Sequence, residues 1–257
     1  MAIQSTALYP ARRHPPALKT GELRIPCGKV WLYGDLNLPR DFTGLVVFAH
    51  GSGSGRHSAR NRQVAQALQN AGLATLLFDL LTAQEEREDS HTREHRFNIS
   101  LLTQRMQDAT LWLLRQDGFK DVPLGYFGAS TGSAAALIAA ARMGPRVTAV
   151  VSRGGRPDLA GPVVLASLEA PTLLIVGGAD LGLIELNEDA FAHLQCEKQL
   201  TIVPWATHLF EEPGALAQVS QLTTTWFTRH LRKSPAGGQA GSASKHQAAR
   251  SAGRVWS

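Results

Sequence analysis

From residue 20 to residue 233 the chain alternates short apolar runs with longer amphipathic segments. Residues 45–49 (LVVFA) contain no polar position, the pattern of a central strand covered on both faces. Residues 74–79, 123–127, 147–152, 172–176 and 200–203 read as further buried strands, and residues 22–25 and 30–38 as an opening antiparallel pair. Helical spacing fills the intervals. Val64, Ala65 and Leu68 share a face in residues 61–71, and Leu102, Met106, Ala109 and Leu113 recur in a longer helix. Residues 134–143 are Ala-rich and helical, and a last helix carries Leu216, Val219, Leu222, Trp226 and His230 on one stripe. The charged residues 82–96 read as a solvated polar excursion, a candidate cap. This order predicts an α/β fold with a mostly parallel central sheet flanked by helices on both faces.

A chain of 257 residues, 44% hydrophobic and 18% charged, suits one such domain. Residues 1–19 are expected to be a flexible Pro-rich lead-in, residues 20–233 the domain, and residues 234–257 a disordered basic tail rich in Gly, Ala and Ser. The formal charge is +5, but Arg12, Arg13, Lys19, Lys245, Arg250 and Arg254 lie in these ends, where there are no acids, so the body between them stands at −1. A near-neutral body gives no basis for a nucleic-acid partner. Two cysteines, Cys27 and Cys196, make no disulfide framework and fit a reducing compartment, so a cytoplasmic location is expected. No apolar stretch is long enough to span a bilayer, and no membrane partner is expected. Arg12 and Arg13 are flanked by Pro10, Pro15 and Pro16 with no apolar segment after them, so no export signal is expected either. The oligomeric state stays open.

Gly128-Ala129-Ser130-Thr131-Gly132 fits G-x-S-x-G and sits between an apolar strand and the Ala-rich helix. That context suits a nucleophilic serine, whose hydroxyl must project from a very tight turn. The alternative is a serine that merely caps the helix. A nucleophilic serine needs a general base, and the base needs an orienting carboxylate. Asp180 follows the strand at 172–176, and His208 follows the strand at 200–203. The order Ser, Asp, His is the one this architecture uses. Glu185 and Asp189 are rival carboxylates inside a helical stretch, Asp180 could cap that helix, and His208 could be an ordinary loop histidine.

His50-Gly51-Ser52-Gly53-Ser54-Gly55 follows the central strand directly. Such a loop can aim a backbone N–H at a developing oxyanion. Ser52 is the preferred donor and Gly53 the substitute, with the Thr131 N–H as the second. The candidate substrate pocket comprises His50, Gly51, Gly53, Arg153 and Trp205. Arg56, Arg60, Arg153 and Arg156 either recognise an anionic substrate group or pair with acids such as Asp158.

Neither a phosphate loop nor a dinucleotide fingerprint fits the glycines at 51, 53 and 55, because the lysine of the first and the spacing of the second are missing. His91-Thr92-Arg93-Glu94-His95 matches H-x-x-E-H, a zinc-peptidase pattern that needs both histidines on one helical face. Its acidic surroundings argue for a solvated segment. No cofactor and no metal are expected.

The stretches HGSGSGRHSARN, LLFDLLTAQEERED, GYFGASTGSAAAL, VVSRGGRPDLAGP, PTLLIVGGADL and ATHLFEEPGAL resemble the dienelactone-hydrolase-like branch of the α/β-hydrolases. They are most similar to serine hydrolases sometimes fused to a phosphoribosyltransferase, and they cover most of residues 44–232. The resemblance implies an α/β-hydrolase fold, a triad of Ser130, Asp180 and His208, and oxyanion donors at Ser52 and Thr131. The chain departs from the branch twice. Dienelactone hydrolases proper use a cysteine nucleophile where this chain has Ser130, which argues against dienelactone as substrate. Trp205 stands where relatives often have a small residue and would narrow the pocket beside His208. The expected activity is cleavage of small-molecule carboxylic esters through an acyl-serine. The alternatives are a non-catalytic binding protein on the same fold and a zinc hydrolase using His91 and His95.

Overall fold

The computed structural model describes residues 18–231; the first 17 residues and the tail expected at 234–257 lie outside the described residues. The strands are β1 (Gly21–Cys27), β2 (Val30–Asn37), β3 (Gly44–Ala49), β4 (Leu73–Phe78), β5 (Leu124–Ala129), β6 (Val147–Arg153), β7 (Thr172–Gly177) and β8 (Lys198–Val203). The helices are α1 (Ala59–Asn70), α2 (Ala83–Thr92), α3 (Ile99–Leu114), α4 (Thr131–Met143), α5 (Pro162–Ser167), α6 (Leu181–His193) and α7 (Ala215–His230). One sheet runs β1-β2-β4-β3-β5-β6-β7-β8, antiparallel across its first two pairings and parallel thereafter.

The apolar run of β3 explains the two layers. Its side chains alternate across the sheet, so Leu45, Val47 and Ala49 join one core while Val46 and Phe48 join the other. The first core takes its helical partners from α3, α4 and α6, with Leu102, Met106, Ala109 and Leu113 buried as their spacing predicts. The second takes Val64, Ala65 and Leu68 of α1 and Val219, Trp226 and Phe227 of α7.

One element differs from the sequence expectation. The buried stripe of α7 is Ala215, Val219, Ser220, Thr223, Trp226 and Phe227, rotated from the expected one so that Leu216, Leu222 and His230 sit at its half-buried margin. The rotation follows from the strands beneath. A Cβ at Gly125 would stand 2.5 Å from the Phe227 ring, and one at Gly44 would stand 2.7 Å from Leu231 Cβ. The bare backbone of β3 and β5 thus selects which face of α7 settles on the sheet.

Residues 82–96, read as a solvated excursion with no element assigned to them, are mostly exposed. They begin with the ordered helix α2, whose first turn is closed by a reciprocal capping box. Glu85 N–H donates to Thr82 Oγ1 at 3.1 Å, and Thr82 N–H donates to Glu85 Oε2 at 2.7 Å. Asp89 is buried and held by Arg96 through its backbone N–H and guanidinium.

Replacing Gly125 by alanine forces Phe227 or the strand to move. We expect a loss of about 1–3 kcal/mol of unfolding free energy, the usual cost of overpacking, measured by urea denaturation.

Candidate active site

The turn from β5 into α4 places Ser130. Its φ of 50° and ψ of −124° lie outside the regions an L-residue adopts comfortably, and the surrounding backbone holds it there. Ser130 N–H donates to Arg153 O at 3.2 Å, and Ser130 O accepts from the N–H groups of Ser133 at 3.0 Å and Arg156 at 3.1 Å. Gly132 lets the turn close against β3, since a Cβ there would lie 2.4 Å from the carbonyl oxygens of both Ala49 and His50. The Ser130 hydroxyl does not cap α4, which leaves the helix-cap alternative without its defining bond.

Asp180 and His208 follow the ends of β7 and β8, which are paired with each other beyond β6. Asp180 heads α6, yet its carboxylate does not cap that helix. Instead Asp180 Oδ2 accepts from His208 Nδ1 at 2.8 Å. This pairing places the imidazole proton on Nδ1 and leaves Nε2 as an acceptor. Gly177 permits the two segments to meet, because a Cβ there would stand 2.3 Å from Ala206 O and 2.7 Å from Thr207 O. The loop carrying His208 is bracketed by Trp205 and Phe210, both at positive φ. Glu185 and Asp189 lie within α6.

The Gly-rich loop after β3 is fixed from both sides. Arg56 N–H donates to Asp79 Oδ1 at 2.8 Å, and Arg56 Nη1 donates to Asp79 Oδ2 at 2.9 Å. His50 is 8% exposed, and both of its ring nitrogens are used. Leu80 N–H donates to Nε2 at 2.9 Å, so the proton resides on Nδ1 and is given to Gly51 O at 2.9 Å. Burial holds the His50 pKa below its ordinary value. The Ser52 N–H points at the turn of Ser130 and donates to Thr131 Oγ1 at 3.1 Å. Thr131 is the first residue of α4, where a backbone N–H has no partner within the helix.

A cleft of about 280 Å³ joins these parts, with Ser52, Ser130, His208, Arg153 and Arg60 among its walls. Of the expected pocket residues, Gly51 and Arg153 line it. His50 and Gly53 line a smaller cavity behind the loop together with Asp89 and Arg96. Trp205 does not narrow the cleft: at 86% exposure it points to solvent and is absent from the walls, because the positive φ of residue 205 turns it away. Sequence reasoning missed Ser54, Ser58 and Leu209 as lining residues, and no motif marks them.

The H-x-x-E-H pattern does not form one helical face. α2 ends at Thr92, Arg93 turns left-handed at φ 61°, and His95 lies beyond the helix, 3.4 Å from Glu88. Among the described residues no group of three or more His, Cys, Asp and Glu side chains is placed to hold a metal ion.

A family profile described as an alpha/beta hydrolase domain matches residues 43–220. The chain belongs to this family. A dienelactone hydrolase structure from Anabaena variabilis is 56% identical, with a TM-score of 0.81, covering 83% of this chain and 99% of that one. Est1E from Butyrivibrio proteoclasticus has a TM-score of 0.69 at 14% identity over 82% of this chain and 99% of its own, a likeness of fold. Among curated proteins, Rv0571c of Mycobacterium tuberculosis, which carries the provisional name phosphoribosyl transferase, is 56% identical over 216 residues, 84% of this chain. The chain spans about half the length of that relative, 48%. The α/β-hydrolase fold and the dienelactone-hydrolase-like branch expected from the sequence are thereby established. Among the described residues no helix is long and apolar enough to cross a membrane.

His50 supplies a pH test of the loop. Its folded pKa lies below its ordinary value of 6.5, so the unfolded chain binds the extra proton first. Stability is then lost as pH falls below about 6.5. We expect the slope of unfolding free energy between about pH 7.5 and pH 5.5 to be shallower in His50→Gln than in the wild type, measured by denaturant titration at each pH.

Proposed function

We propose that the chain is a serine hydrolase that cleaves small-molecule carboxylic esters through an acyl-Ser130 intermediate. One observation carries this reading: a serine on a strained strand-to-helix turn shares a cleft with a histidine whose Nδ1 is bound to an aspartate. Ser130 Oγ attacks the ester carbonyl while His208 Nε2 takes its proton. Asp180 keeps the imidazole in that tautomer and stabilises the cation that forms. The proton then passes from His208 to the leaving alkoxide, and water hydrolyses the acyl-serine by the same route.

The oxyanion contacts are the N–H groups of Ser52 and Thr131. The Ser52 N–H exchanges its Thr131 Oγ1 partner for the substrate oxygen, so the developing charge replaces a neutral hydroxyl as acceptor. The name of the Anabaena relative supports hydrolysis of an ester or lactone bond as the reaction class. Residues 20–233 would constitute the catalytic unit, which contains the whole family match. The two unpaired cysteines, Cys27 and Cys196, support a reducing compartment such as the cytoplasm.

The test is hydrolysis of p-nitrophenyl butyrate by the wild type and two variants. Ser130→Ala is expected to lower kcat by about 10³-fold or more, and Asp180→Asn by about 10²–10⁴-fold, with circular dichroism unchanged. Full activity in Ser130→Ala would remove it as the nucleophile. A wild type that neither hydrolyses esters nor reacts with a fluorophosphonate would point to a binding protein.

A further inference from the structure

The four arginines near the sheet edge divide by their partners. Arg56 meets Glu22, Asp35 and Asp79 within 3.5 Å, and Arg156 holds Asp158 through two hydrogen bonds of 2.8 and 2.7 Å. Both cations are neutralised locally, and neither lines the cleft. Arg153 differs. It is 6% exposed and lines the cleft, yet among the described residues it forms no ion pair with an acid. Its Nη2 donates to the neutral Asn61 Oδ1 at 3.1 Å, its guanidinium lies 5.8 Å from the Phe210 ring centroid, and its Nε is buried without a partner. Burial, with the nearby charge of Arg60 added, pushes its pKa down to about 10, so it remains a cation at neutral pH. Arg60 lines the same cleft and, among the described residues, has the exposed Glu211 as its one ion-pair partner, at 3.0 Å.

A buried cation without an acid is costly unless something else supplies the negative charge. We infer that Arg153 and Arg60 form a subsite for an anionic oxo-group of the substrate, a carboxylate or a phosphate, beside Ser130. This rests on the esterase reading above and adds the substrate class to it: an ester whose acid or alcohol part carries a second, charged group. Placement supports it. Arg153 is paired with Ala129 across β5 and β6, and its carbonyl accepts from Ser130 N–H, so the guanidinium stems from the residue alongside the nucleophile. The start of α1 opens on the same cleft through Ser58 and Arg60, and its first turn contains no acid, so the helix end adds attraction for an anion. The guanidinium fork suits both carboxylate and phosphate oxygens.

The test compares mono-p-nitrophenyl glutarate with its methyl ester, which differ by one charge. The ratio of their kcat/KM values cancels any general loss of activity in a variant. In the wild type the anionic ester is expected to win by about tenfold or more, and in Arg153→Gln and Arg60→Gln the ratio is expected to fall several-fold. Arg153 is buried and its variant could unfold, whereas Arg60 is half-exposed and its variant keeps the test open. Isothermal calorimetry with inorganic phosphate and with glutarate gives a readout that needs no turnover. Tighter binding of phosphate assigns a phosphate group, and tighter binding of glutarate assigns a carboxylate. Hydrolysis of both esters at equal efficiency, with neither anion bound, would overturn the subsite and leave the esterase reading standing. No hydrolysis of either ester would remove the esterase reading, and anion binding that weakens in Arg60→Gln would then still establish the subsite.

Discussion

Backbone meets backbone along the C-terminal edge of the sheet, and the candidate site depends on how closely it does so. The turn carrying Ser130 rests on the carbonyls of Ala49 and His50, and the loop carrying His208 rests on the end of β7. Each approach leaves less than 2.5 Å for a Cβ at Gly132 or Gly177. Backbone carbonyls cannot swing aside as a flexible side chain can, so these distances fix the spacing of the three strand ends. Ser130, Asp180 and His208 then inherit their positions from the sheet rather than from mobile loops.

Hydrogen bonds and charges tighten what close approach sets up. His50 ties the end of β3 to the residues that follow β4, and Arg56 ties the Gly-rich loop to Asp79 and the opening hairpin. Neutral His50 uses one nitrogen as donor and the other as acceptor, so it satisfies two backbone groups where the ring is largely buried. These two residues lie in and beside the glycine loop yet serve to hold it. Arg153, by contrast, keeps its charge at the wall of the cleft with only an amide oxygen and an aromatic face beside it. Basic residues of the glycine loop and of the cleft wall therefore serve opposite ends, and their partners separate them.

Much of the fold was legible in the chain itself. Apolar runs marked the inner parallel strands because a strand covered on both faces has no polar side to show, while the edge strand β8, in which Val203 is the buried residue, showed only the shorter run 200–203. Ser130, Asp180 and His208 could be singled out because each follows such a run, in the order the fold requires. The helix α2 was legible in principle, since Thr82 and Glu85 have capping-box spacing, and its dense charge did mark a largely exposed segment. What the charge pattern did not show was the burial of Asp89 against Arg96, because Arg96 lies past the left-handed turn that ends the helix.

By itself the sequence determined the layers, the strand and helix order and the residues at the strand ends, because these depend on hydrophobic period and local turn chemistry. Tertiary structure alone decided which face of α7 meets the sheet, since that follows from glycines in two distant strands. It also decided that Trp205 faces solvent, that His50 is a buried strut, and that Arg153, of the four arginines near the sheet edge, is the one without an acid among the described residues. Each of these depends on what other parts of the chain place within hydrogen-bonding or van der Waals distance, and a linear pattern does not record that.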